Sequence, residues 1–135
     1  MAQYLLAYGF TAAFFLLIDL IWLSRIAKSL YVGQIGNLLL DTPRVGAAAL
    51  FYAVYVIGIV VFAVAPAIKA QSLTMALGYG ALFGFFAYAT YDMTNYATLR
   101  GWSLAVTVID VGWGTALTGV AATVGYLGTW FITRS

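Results

Sequence analysis

The sequence predicts an all-α integral membrane protein, a bundle of four transmembrane helices with a short interfacial segment between helices 1 and 2. Three observations carry this expectation. Of 135 residues, 64% are hydrophobic and 7% charged, with a mean hydropathy of +1.00, whereas soluble domains are about half apolar and a quarter charged. Six basic and four acidic side chains are too few to cover an apolar core with polar surface, so the apolar excess must face lipid. The apolar residues also fall into four stretches, each long enough for about 30 Å of hydrocarbon, which takes about 20 residues at roughly 1.5 Å apiece.

The first span runs from about Tyr4 to Leu23. No basic residue precedes it and Leu23-Ser24-Arg25 follows directly, without the small-residue pattern of a cleavage site, so it reads as a retained span and not as a signal peptide. Ser24–Leu40 is too polar and too broken by Gly33, Gly36 and Asn37 to cross the membrane. It carries Ile26, Leu30, Tyr31, Ile35 and Leu38, and part of it is expected to lie along the interface. The second span opens at Asp41-Thr42-Pro43, with Thr42 as N-cap and Pro43 as first helical residue, and closes at about Ala65 ahead of Pro66. A short turn, Pro66–Ser72, contains Lys69. The third span covers about Leu73 to Thr98, and Arg100-Gly101 separates it from the fourth, about Trp102 to Trp130, which is long enough to tilt or protrude. No linker or low-complexity tract divides residues 1–135, which read as a single transmembrane domain with helices at about 4–23, 43–65, 73–98 and 102–130.

Arg25, Lys28, Arg44 and Arg100 fall on one side of these spans, Lys69 and Arg134 on the other. The excess of basic residues marks the cytoplasmic side and places both termini in the periplasm of a bacterial inner membrane.

The absent residue types restrict the chemistry. With no Cys and no His, thiolate nucleophiles, Cys-ligated clusters and the common haem and zinc ligands are excluded. Glu is missing too. No Lys lies mid-span to form a Schiff base with retinal, and a net charge of +2 is too small and too dispersed for a nucleic-acid surface. No cofactor can be named. The carboxylates Asp19, Asp92 and Asp110 lie at similar depth near one end of spans one, three and four. They are the candidate catalytic, proton-carrying residues, because a carboxylate in hydrocarbon must turn inward and find donors or a proton. Tyr88, Asp92 and Tyr96 recur every four residues with Asn95 a turn from Asp92, while Ser103, Thr107 and Asp110 share a face of the fourth span beside Trp113. The candidate ligand-binding residues are therefore Tyr88, Tyr91, Asn95, Trp22 and Trp113. Trp102 and Trp130 read as interfacial-belt residues. Gly80, Gly84, Gly114, Thr118, Gly119 and Gly125 read as helix-packing positions. Ile18-Asp19 with Trp22 echoes Ile109-Asp110 with Trp113 on a helix of opposite direction, the pattern of an inverted repeat or of chance. A structural alternative for the carboxylates is pairing with Arg25, Arg44 and Arg100.

The runs Asp19-Leu20-Ile21-Trp22-Leu23, Phe51-Tyr52, Tyr88-Ala89-Thr90-Tyr91-Asp92-Met93-Thr94-Asn95 and Asp110-Val111-Gly112-Trp113-Gly114, with Trp102 between the last two, resemble a bacterial membrane family known as domain of unknown function 2177. The resemblance covers nearly the whole chain and is most specific at Tyr-Asp-Met-Thr-Asn. It implies a small four-helix inner-membrane protein of no established activity. The family's frequent gene neighbours, in lipid modification and photo-oxidative stress, imply a lipid or other hydrophobic substrate.

Three readings follow. In the first, Asp92 and Asp110, with Asp19 near them, line a polar recess open to the inner leaflet that binds or modifies a membrane lipid or hydrophobic small molecule. Tyr88, Tyr91 and Asn95 would hold its head-group and Trp22 and Trp113 wall the pocket. A divalent ion on two or three Asp is a variant, with Mg²⁺ or Ca²⁺ suiting the oxygen donors. The second is a proton-coupled small transporter of hydrophobic cations working as a homodimer, for which cation uptake into liposomes is the decisive measurement. The third is a non-catalytic accessory subunit whose polar groups only fix helix packing.

Overall fold

A computed structural model of the chain describes residues 2–40 and 42–133. Among the described residues there are only helices and turns, and four helical segments are long and apolar enough to span a membrane: Ala2–Ile26, Val45–Ala70, Leu73–Thr98 and Leu104–Thr133. Large apolar side chains cover the outside, Leu5, Leu50, Phe62, Phe86 and Val108 among them, all more than half exposed, as lipid-facing surface requires.

Helix α1 (Ala2–Ile21) buries Ala7, Thr11, Phe15 and Asp19, one residue every four, which puts them on a single face. A π turn, Trp22–Ile26, carries the helix past the expected end at Leu23, and Ala27 N–H closes it on the Trp22 carbonyl at 2.7 Å. The following segment folds as α2 (Lys28–Ile35) and a 3₁₀ turn, Gly36–Leu38. Ala27 and Ile35 are buried, and Gln34 Oε1 accepts a bond from Ser103 Oγ at 2.8 Å. The segment is thus docked across one end of the bundle.

The second span differs from expectation at both ends. Thr42 and Pro43 precede the helix and do not begin it. Helix α3 (Val45–Ile59) starts with the continuous apolar run, Arg44 at its N-cap makes no side-chain cap bond, and Asp41 lies outside the described residues, as does Arg134. Nor does Pro66 end the span. A proline inside a helix lacks one N–H and crowds the carbonyl four residues back. A π turn, Val60–Val64, resets the ladder just before it, with Ala65 N–H bonding to the Val60 carbonyl, and Pro66 then falls in the first turn of α4 (Ala65–Ala70), where its missing donor is not needed. Lys69 therefore sits in a last helical turn and the connection shrinks to Gln71, in the left-handed region at φ 53°, and Ser72.

Ser72 Oγ accepts the Met75 N–H and starts α5 (Leu73–Thr98). Gly101, at φ +85°, supplies the turn into α6 (Leu104–Thr133). That helix begins two residues later than expected because Ser103 is its cap, its Oγ accepting the Val106 N–H.

Helices α5 and α6 form the most extensive contact, followed by α1 with α6. Ala76, Gly80 and Gly84 recur every four residues on α5 and are buried against α6. A Cβ at Gly80 would come within 2.7 Å of Ala122 Cβ, and one at Gly84 would collide with the Gly114 carbonyl and Thr118. Small residues let helix backbones approach closely. On α1, Ala7 and Thr11 meet Gly125 in the same manner. Tyr55 of α3 joins this core, bonding to Thr118 Oγ1 at 2.8 Å.

Candidate functional site

The small-residue stripe of α5 continues in register to larger groups. Tyr88 follows Gly84 by four and Asp92 follows Tyr88 by four. The helices run antiparallel, so the partners on α6 descend from Ala122 opposite Gly80, through Thr118 and Gly114 opposite Gly84, to Gly114 beneath the Tyr88 ring and Asp110 beside Asp92. Where the stripe changes from small to large, the helices enclose a cavity of about 550 Å³, within the range of small-molecule sites. Leu23, Ile35, Leu38, Leu39 and Phe51 supply apolar wall. Tyr31, Tyr52, Tyr88, Tyr91 and Trp102, with Asp19, Asp92 and Asp110, supply the polar and aromatic wall.

The three carboxyl groups differ in their surroundings. Asp19 has a donor on each oxygen: Tyr52 O–H donates to Oδ2 at 2.5 Å and Trp113 Nε1–H to Oδ1 at 3.0 Å. Asp110 Oδ1 accepts the Tyr31 hydroxyl at 2.7 Å. Asp92 is fully buried, and neither of its oxygens meets a donor; its ionisable neighbour is the Asp110 carboxyl. Among the described residues no Lys or Arg pairs with these groups. Arg25, Arg44 and Arg100 are all exposed, so the ion-pair alternative gives way to tyrosine and indole donors. Also among the described residues, no three carboxylates gather closely enough for one metal ion, because Asp19 is held apart by Tyr52 and Trp113.

The two tryptophans of the internal echo meet. The Trp22 and Trp113 rings stack at 4.2 Å with 9° between planes, and each indole serves the other helix's carboxylate. Trp113 bonds to Asp19 directly, whereas Trp22 Nε1–H reaches the Tyr31 hydroxyl at 3.4 Å, which in turn donates to Asp110. Asp19 and Asp110 thus each receive one tyrosine and are each tied to one tryptophan, Asp19 directly and Asp110 through Tyr31.

Of the sequence-derived candidates, Asp19, Asp92, Asp110, Tyr88 and Tyr91 line the cavity, whereas Asn95, Trp22 and Trp113 are not among its lining residues. Asn95 lies beside Tyr91 one turn away, and the two tryptophans form the stacked support behind Asp19. Tyr96 is exposed, since a strict four-residue repeat drifts around the helix. Tyr31 and Tyr52 escaped the sequence reading; their partners lie 79 and 33 residues away, and only the Phe51-Tyr52 pair left a signal. Trp102, expected in the interfacial belt, turns inward instead. Its ring meets Tyr91 edge-on at 5.7 Å and its Nε1 is buried without a partner.

The family model described as predicted membrane protein (DUF2177) matches residues 4–127. The chain belongs to this family. The matched DUF2177 region contains every residue of the cavity wall and the stacked indoles. No curated protein and no solved structure shows a significant match.

Within this DUF2177 chain, α2 is fastened over the cavity by Tyr31 and Gln34. Burial holds the Tyr31 phenol above its ordinary pKa; the Trp22 N–H works against this, and the charges of Asp110 and Asp92 add to it. Tyr31 therefore acts as a neutral donor. Tyr31→Phe is expected to release α2, at a cost of about 1.5–3 kcal/mol for a hydrogen bond to a charged acceptor. Hydrogen exchange is the check: amides of residues 28–38 should exchange faster than in the unaltered protein while those of α5 do not, and unchanged exchange would refute the tether.

Proposed function

We propose that this protein binds a lipid-like hydrophobic molecule in the cavity between α1, α2, α3, α5 and α6, with the polar end of the ligand at Asp92 and the apolar part along Leu38, Leu39 and Phe51. The observation that carries this reading is Asp92 itself. It lies in the wall of an otherwise mostly apolar cavity with both oxygens unpartnered, and buried polar atoms without partners are rare and costly. Asp110 and Tyr88 flank it, while Asp19 positions Trp113 and Tyr52 and does not face the ligand with a free oxygen. The same placement suits proton transfer at Asp92 on a bound molecule. The setting we infer is a bacterial inner membrane with both termini periplasmic, since the exposed Arg25, Lys28, Arg44 and Arg100 all lie at the cavity end of the bundle.

Native mass spectrometry of the gently purified protein tests the binding. A co-purifying hydrophobic molecule is expected, and Ala87→Trp, which fills the cavity from α5, should lower its occupancy at least tenfold in folded protein. Equal occupancy in the two proteins, or no adduct on either, would remove the proposal.

A further inference from the structure

Resting on that reading, we infer that the molecule recognised is a long-chain primary amine in its ammonium form, held by Asp92 and Asp110 with its hydrocarbon along the apolar wall. The first observation is the charge of the cavity. Asp19, Asp92 and Asp110 all contribute to its lining, and no Lys or Arg does. Arg25, Lys28, Arg44, Lys69 and Arg100 are exposed elsewhere. A phosphate or carboxylate head-group entering here would meet three carboxyl groups and no cation in a medium of low dielectric constant, where like charges repel strongly.

The second observation is the count of free acceptors. Asp19 already receives one donor on each oxygen, from Tyr52 and Trp113, and is the best supplied of the three. Asp92 has no donor on either oxygen and lies against the Asp110 carboxyl, which itself receives only the Tyr31 hydroxyl. An ammonium group entering between the two carboxyls would bring three N–H donors to oxygens that the protein leaves short of them. A hydroxyl brings one donor and a carboxylate none. Two carboxyls placed side by side also require a positive charge between them, either a shared proton or a bound cation. Rings surround the remaining space: Tyr88, Tyr91 and Trp102 line the cavity, and aromatic faces attract ammonium groups.

The test compares dodecylamine, 1-dodecanol and dodecanoate, three probes of one chain length. Each is titrated against the full chain in maltoside micelles, with apparent Kd read from the saturable rise in thermal unfolding midpoint. Dodecylamine is expected to bind at least about tenfold tighter than the other two, in keeping with charge-assisted hydrogen bonds being about twice as strong as neutral ones. Asp92→Asn and Asp110→Asn should each erase that preference. If the alcohol or the acid binds as tightly as the amine, the pair holds a proton and not a cation; the amine inference then falls while a hydrophobic ligand in the cavity stands. If none of the probes stabilises the protein, the amine inference falls as well, and the adduct experiment above decides the cavity separately. Retention of the amine preference in folded Asp92→Asn and Asp110→Asn would place recognition elsewhere and overturn the assignment. Should either variant not fold, the ranking of the three probes on the unaltered protein decides alone.

Discussion

Gly84→Ala is expected to destabilise the bundle by about 2–3 kcal/mol, the upper part of the range for overpacking a well-filled core. The size follows from what the new methyl would meet. At most crowded positions a side chain can rotate away, but at Gly84 the obstacle is the Gly114 carbonyl oxygen, with Thr118 Cβ beside it at 2.6 Å. Relief requires moving the α6 backbone, and α5 against α6 is the largest interface in the molecule. The displacement would also separate Tyr88 from Gly114 and Asp92 from Asp110, so the cavity should distort together with the loss of stability. Gly78 on the same helix is the internal control, because nothing lies within 4 Å of a Cβ there. Gly78→Ala removes only backbone freedom and should stabilise by roughly 0.5–1 kcal/mol. Thermal unfolding followed by circular dichroism in micelles should therefore separate the two variants by on the order of 10 °C. A midpoint for Gly84→Ala equal to or above that for Gly78→Ala would mean that the helices are not packed through this stripe.

The parts of the fold that were legible in the sequence are those that lipid imposes. An uncompensated backbone in hydrocarbon is so costly that spans must be helical, apolar and about 20 residues long, and the four spans stand where the apolar runs stand. The third has the bounds read from the sequence, 73–98, because Ser72 and Arg100-Gly101 punctuate it. Local rules failed where a neighbouring turn changed their premise. Pro66 reads as a stop, yet the π turn Val60–Val64 shifts the hydrogen-bond ladder ahead of it. Thr42-Pro43 looks like a cap and first helical residue, yet the helix waits for the apolar run at Val45. For the site, depth along antiparallel neighbours was enough to bring Asp92 level with Asp110. It was not enough to separate Asp19 from them, because that separation depends on Tyr52 and Trp113, which reach it across 33 and 94 residues. Tyr31 was invisible for the same reason: α2 has no periodic pattern, and its docking depends on the single bonds of Tyr31 to Asp110 and Gln34 to Ser103.

Asp19→Ala is expected to have the largest effect of any polar substitution, about 3–4 kcal/mol, although a single interhelical hydrogen bond in a bilayer averages only about 0.6 kcal/mol and reaches about 1.7. Three losses accumulate at this position. The Tyr52 bond, at 2.5 Å, and the Trp113 bond, at 3.0 Å, both end on a carboxylate and belong at the upper end of that range. Removing the acceptor also leaves the Tyr52 O–H and Trp113 N–H unpaired in a part-buried setting, which costs more than the bonds contributed. Trp113 is then free to tilt, and its stack on Trp22 at 4.2 Å loses a further share of the roughly 0.5–1.5 kcal/mol that aromatic pairs contribute. Asp19→Asn retains an acceptor for Trp113 and an amide that can donate to the Tyr52 oxygen, so it should lose less than half as much. A double-mutant cycle with Trp113→Phe isolates the coupling: the phenylalanine keeps an aromatic ring and removes the N–H. The cycle should return an interaction energy of about 1–2 kcal/mol, well outside the roughly 0.3–0.5 kcal/mol within which independent substitutions add. Simple additivity would show that Asp19 does not act through the indole, and the stacked tryptophans would then have no part in holding α1 to α6.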